Sequence, residues 1–92
     1  MSVIWKFPID LYRAGRVTDN PVIEMPAGAK ILTMQLQDHQ PTLWAVVDPD
    51  APKEPRQLHI VGTGQAVPAG ELTYLGTWQS NGFVFHVFEE RP

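Results

Sequence analysis

Residues 60–65 read Ile-Val-Gly-Thr-Gly-Gln, an apolar run that ends on two glycines one residue apart. Glycines that follow a strand let backbone N–H groups close around an anion, and the Thr63 hydroxyl would add a donor to such a nest. A dinucleotide turn needs a third glycine, a helix opening behind it and an acid about 20 residues further on. Ala66, Val67 and Pro68 follow instead, and Pro68 interrupts a helix. The segment is therefore neither a Rossmann turn nor a Walker loop. Two readings remain: a strand exit or bulge that glycine permits, and an anion nest made by Gly62, Thr63, Gly64 and Gln65. A nest of this kind would draw cations from elsewhere in the chain. Arg13, Arg16 and Arg56 are the arginines nominated for that role, and His59 stands on the strand that leads into the turn.

The remaining reactive side chains give weaker patterns. His39 falls in a turn, His59 alternates with Leu58 and Ile60, and His86 shares a face with Thr77 and Val84. No pair of them has helical ligand spacing and none has an acid paired with it locally, so no metal is expected. Ser80 and His86 would need an acid and an oxyanion hole to act as a triad. Ser80 flanks a hairpin turn rather than a strained elbow. Glu89 and Glu90 are neighbours on a strand and point to opposite faces, which rules out a carboxylate dyad. The chain is expected not to be an enzyme and to need no cofactor. Trp5, Trp44, Trp78, Phe83 and Phe85 are expected mainly in the core, but a flat-ring ligand would use the same residues at a pocket mouth.

These side chains must be carried by strands. Apolar residues alternate from Val3 to Ile9, with Pro8 marking an edge strand. Segment 10–20 has no clear period and folds as a protruding hairpin, or insertion, about Ala14-Gly15. A short strand follows from Pro21 to Met25, then a type I turn at 25–28 with Pro second and Gly fourth. The alternation at 31–37 places Leu32, Met34 and Leu36 inward, and 38–41 is a turn. Residues 43–47 are apolar on both faces, as in a central strand. Three prolines make 48–55 an exposed loop, 57–61 is a strand, and 65–71 is another loop. Asn81-Gly82 is the strongest two-residue hairpin signal, and it sets Ser80 opposite Phe83, Trp78 opposite Phe85 and Thr77 opposite His86. The sum is an all-β chain of about seven strands, an antiparallel barrel or small sandwich, with room for one short helical turn at 10–15 or 67–73.

Composition sets the outer bounds. Ninety-two residues, 43% apolar, make a single domain over 1–92. Nine prolines and seven glycines disfavour long helices, and the absence of cysteine removes disulfides and thiolate metal sites. A core this small is often supplemented by association, so a homo-oligomer is expected. The formal charge of −3 argues against a duplex nucleic-acid partner. No stretch reaches transmembrane length, and the opening residues lack a secretory pattern, so the expected place is the cytoplasm.

The segments "WKFPI", "IEMPAGAKIL", "PTLWAVVDP", "GTG" and "FVFHVFE" together resemble a family of small proteins of uncharacterised function found in phages, prophages and bacterial genomes. The resemblance covers the chain apart from 10–16. Its members often carry His after the GTG, where Gln65 stands here, which speaks against a catalytic role at that spot. The resemblance implies a phage setting, in the host cell cytoplasm, where small proteins without enzymatic motifs counter host defence. They do so by blocking a protein or by sequestering a nucleotide second messenger. The first expectation is thus a binder of a small anionic, nucleotide-like ligand. The alternative is a protein-binding inhibitor or virion accessory protein acting through an exposed sheet edge.

Overall fold

The computed structural model describes residues 1–13 and 15–91, Arg13 through its backbone alone. Among them, nine strands follow in chain order. They are β1 (Val3–Pro8), β2 (Tyr12–Arg13), β3 (Arg16–Val17), β4 (Val22–Pro26), β5 (Lys30–Gln37), β6 (Gln40–Val47), β7 (Lys53–Gly62), β8 (Leu72–Ser80) and β9 (Phe83–Glu90). The two-residue pair β2–β3 is the ribbon expected in 10–20, and the other seven are the strands of a sandwich. One sheet has the order β1-β6-β5 and the other β4-β7-β9-β8, both antiparallel and neither closed into a barrel. No helical turn occurs among the described residues of 10–15 or 67–73.

The apolar pattern decides what faces what. Leu43, Ala45 and Val47 of β6 share a buried cluster with Leu58 of β7, Trp78 of β8 and Val87 of β9. β6 lies between two neighbours, as its two-sided apolar run requires. β1, with Pro8 at its end, is an edge strand. Asn81 and Gly82 both take positive φ (50° and 82°), the type I′ geometry whose twist suits a hairpin. The expected pairs Ser80↔Phe83, Trp78↔Phe85 and Thr77↔His86 all occur.

Four local expectations are corrected. In β5 the register shifts between Ile31 and Thr33, so Leu32 sits in a bulge and is 47% exposed, and Leu36, also expected inward, is exposed near the strand's end. Ile31 takes the place of Leu32 on the inner face beside Met34, and a strict period of two could not have predicted it. The turn after β4 runs one residue later than a type I reading gives: Ala29 N–H donates to Pro26 O (3.1 Å), with Gly28 at φ 78° in the third position. That position calls for glycine in a type II turn. Between β5 and β6 the two turn residues are Asp38 and His39, at φ 50° and 66°, rather than a four-residue loop to Pro41. Finally, the 48–55 loop is shorter than its prolines suggest, because Lys53, Glu54 and Pro55 already pair with β4. β9 pairs with β7 only from Leu58 onward, so Pro55 lies where one side of the strand has no ladder to supply.

Two features of the second sheet fix the surroundings of the 62–65 segment. β8 is irregular between Tyr74 and Gly76, and Gly76 (φ 152°) lets β8 come close to β5: a Cβ there would sit 3.4 Å from that of Met34. β7 and β8 both run antiparallel to β9, hence parallel to each other, with β9 between them. Connection 63–71 must therefore return along the sheet and cross β9. The inner face is filled by the core, so the crossing is over the outer face. This strap carries the Gly-Thr-Gly segment.

Candidate functional site

The 62–65 segment is a tight turn in which Gln65 N–H donates to Gly62 O (3.0 Å) and Gly64 holds φ 92°. Gly64 is there for conformation, because an L side chain rarely adopts that angle. Gly62 has a different reason. A Cβ on it would stand 3.2 Å from Gln65 Oε1, which accepts the Gly62 N–H at 2.8 Å. Thr63 N–H donates to Val84 O (3.1 Å). Three of the four backbone N–H groups of the expected nest are thus turned inward and engaged within the chain. The glycines and Gln65 build the turn, and the backbone does not present the cluster of free donors that an anion nest needs.

Thr63 meets His86 across β9, with Oγ1 2.8 Å from Nε2, and Tyr74 Oη lies 2.8 Å from Nδ1 of the same ring. One assignment of protons satisfies every group. Tyr74 donates to Nδ1, Nε2–H donates to Thr63 Oγ1, and the Thr63 hydroxyl donates to Val84 O at 3.4 Å. His86 therefore anchors one end of the strap. Ser80 is not its partner, so the paper triad is not assembled. At the strap's other end Arg91 N–H donates to Glu71 O (3.0 Å).

The nominated cations are dispersed. Arg56 forms a two-pronged pair with Glu89 through Nε and Nη2 and donates from Nη1 to Ala29 O (2.9 Å), tying the start of β5 to the second sheet. The Glu89 hydrogen bond holds the guanidinium above its ordinary range, against an opposing effect of burial. Arg56 borders a groove of about 520 Å³ with Glu54, Glu90 and Arg91, well separated along β7 from the 62–65 turn. His59 Nε2 lies 3.2 Å from Glu90 Oε2. Arg16 is exposed on the β2–β3 ribbon, opposite Arg13, whose side chain lies outside the described residues. Of the eight nominated residues, Gly62, Thr63, Gly64 and Gln65 come together in the turn; Arg56 and His59 are engaged elsewhere. No group of three or more His, Cys, Asp or Glu side chains among the described residues is placed to hold a metal ion.

What the turn does create is a pair of grooves. One, of about 600 Å³, is bordered by Gly62, Thr63, Gln65, Gly82, Phe83, Val84 and Phe85. The other, of about 580 Å³, lies under the β2–β3 ribbon and is bordered by Leu11, Val17, Thr18, Asp19, Ile60, Ser80 and Trp78. Gly62, Gln65 and Phe85 belong to both. Trp78 and Phe85 stack with centroids 5.0 Å apart and planes at 25°, and Phe83 at the mouth is 67% exposed. Trp78 is in the core as expected, whereas Phe83 and Trp5, expected mainly in the core, are exposed, and Phe83 stands instead where the pocket-lining reading put it. Thr18, Asp19 and Tyr74 were not legible in the sequence as part of the site, because only the fold brings the ribbon and β8 to the turn.

Fold and grooves define an open all-β sandwich with clefts of ligand size at one end. The chain belongs to the family described as a domain of unknown function (DUF7352), whose family model matches residues 1–92, segment 10–16 included. No curated protein and no solved structure matches it. No helix among the described residues is long and apolar enough to cross a membrane.

Proposed function

We propose that this protein is a non-enzymatic binding module that takes a small flat-ring ligand in the grooves beside the 62–65 turn. Its setting is a phage or prophage in the host cytoplasm, where the ligand is a nucleotide signal of host defence that the protein sequesters as a homo-oligomer. One observation supports the reading above the others: two grooves share Gly62, Gln65 and Phe85, and the Phe85 ring is backed by Trp78 in the groove under the ribbon and neighbours exposed Phe83 in the other. Each has the volume of a small-molecule site, and aromatic faces offer stacking to any planar ring. The Thr63–His86–Tyr74 chain speaks for positioning rather than chemistry, since the Thr63 hydroxyl is directed to a backbone carbonyl.

Calorimetry against a panel of mononucleotides, cyclic nucleotides and ADP-ribose tests this, with Phe83→Ala as the companion variant. Phe83 is exposed, so the fold tolerates its loss, and binding weakens several-fold. No heat from any member at 100 micromolar overturns the reading. Light scattering that gives the mass of one chain across micromolar concentrations removes the oligomer. If no nucleotide binds, a second reading leads, in which edge strand β1, carrying Ile4 (62% exposed) and Trp5 (38%), takes a protein partner by strand addition.

A further inference from the structure

The groove under the β2–β3 ribbon has a polarity that narrows its ligand further, given the proposal that the groove binds a planar ring. Its described lining contains one acidic residue, Asp19, and no basic one. A phosphate placed there would face like charge with no basic residue to offset it among the described lining. Ser80 brings a hydroxyl, and Gln65 brings a donor whose identity the turn settles. Because Gln65 Oε1 accepts the Gly62 N–H, the remaining end of the amide is the NH2 group. The lining thus offers an acidic residue together with neutral donors, beside the half-buried ring of Phe85, which is backed by buried Trp78.

We infer that this groove recognises the base of its ligand, and that the base is of guanine type. A guanine edge sets two adjacent N–H donors beside a carbonyl acceptor, which complements one carboxylate plus amide and hydroxyl donors. An adenine edge puts ring acceptors next to its single amino group and would meet Asp19 with a lone pair. A bare ammonium would suit Asp19 and the aromatic wall, but it leaves the Ser80 and Gln65 donors without an acceptor. Any phosphate extends out of the groove and adds little to affinity.

The test is calorimetry with guanosine, guanosine 5′-monophosphate, adenosine, tetramethylammonium and inorganic phosphate, on the native chain and on Asp19→Ala. Asp19 is exposed, and its contact within the fold is a backbone carbonyl that accepts from Ile60 N–H, which the variant keeps. Guanosine and its monophosphate are expected to bind within about threefold of each other, with adenosine at least tenfold weaker, about 1.4 kcal/mol. Inorganic phosphate and tetramethylammonium are expected to give no heat. Asp19→Ala should cost guanosine at least tenfold and leave adenosine unchanged. Asp19→Asn, which keeps the size and removes the charge, serves if the alanine variant unfolds. Equal binding of the two nucleosides, an unaffected Asp19 variant, or a monophosphate bound tenfold tighter overturns the inference while leaving the groove a ring-binding site. Tightest binding of tetramethylammonium overturns it in favour of a cation site. Silence from every probe overturns both this inference and the function it rests on.

Discussion

At the scale of single residues, the two glycines of the 62–65 turn have different roles although their spacing looks like one motif. Gly64 is required by its positive φ, whereas Gly62 has ordinary backbone angles and is required by the Gln65 amide. Gly62→Ala should therefore fold, displace that amide by a few tenths of an ångström and weaken one hydrogen bond, a loss of about 1 kcal/mol. Gln65→Ala should cost about the same, and the double variant little more than either, because both remove one contact. Urea denaturation of the four proteins checks this; full additivity would show that the two residues are not coupled. The β5–β6 turn invites the opposite experiment. Asp38 and His39 both hold positive φ without being glycine, a conformation that is unfavourable for an L residue. His39→Gly should raise stability by about 0.5–1 kcal/mol, after the greater freedom glycine has in the unfolded chain is subtracted. A melting temperature a few degrees higher is the expected reading, and an unchanged or lower one places the turn residues elsewhere.

Among the elements, the decisive contact is the one where β8 leans on β5. Gly76 combines a φ of 152° with only van der Waals room before Met34. Gly76→Val should cost about 2 kcal/mol or more through strain and overpacking together, and thermal unfolding would show it as a drop of roughly ten degrees. A drop of under two degrees would mean the two sheets can part there without penalty. The elements differ in how far their sequence announced them. The β8–β9 hairpin was legible to the residue, because Asn-Gly admits one tight turn and that turn sets the register of every pair behind it. β6 was legible because a central strand needs apolar side chains on both faces. The β5 bulge and the start of β7 were not. A bulge leaves no composition signal when Ile31, Leu32 and Met34 are all apolar, and Pro55 reads as a loop residue until its open neighbour is known. The candidate site was half legible. The 62–65 turn stood out by its glycines, but its N–H groups are taken up by Gly62, Gln65 and Val84, partners that local sequence does not reveal. Asp19 became part of the site only when the ribbon folded over the turn.

For the whole molecule, the strap sets a minimum length. From Gly62, opposite Phe85, to Leu72, opposite Glu90, the path crosses two strand spacings and descends five residues, about 19 Å in a straight line. It must also rise over the side chains of β9. Deleting residues 66–69 leaves about 20 Å of extended chain, too little for that climb. Such a variant should lose cooperative unfolding by circular dichroism, and a sharp transition at the native temperature would mean the connection takes another route. β9 is the last of the nine strands to be made, yet it lies between β7 and β8, and both of its ladders wait for it. On a ribosome the first sheet can pair as soon as β6 has emerged. β7 must wait with one edge open, a strand end that other nascent chains can join. The Asn81-Gly82 turn closes within microseconds once both its arms are synthesised. The slow event is then the docking of a finished β8–β9 hairpin against β7 beneath the strap, and the open edge of β7 is exposed to misassembly until that docking is done.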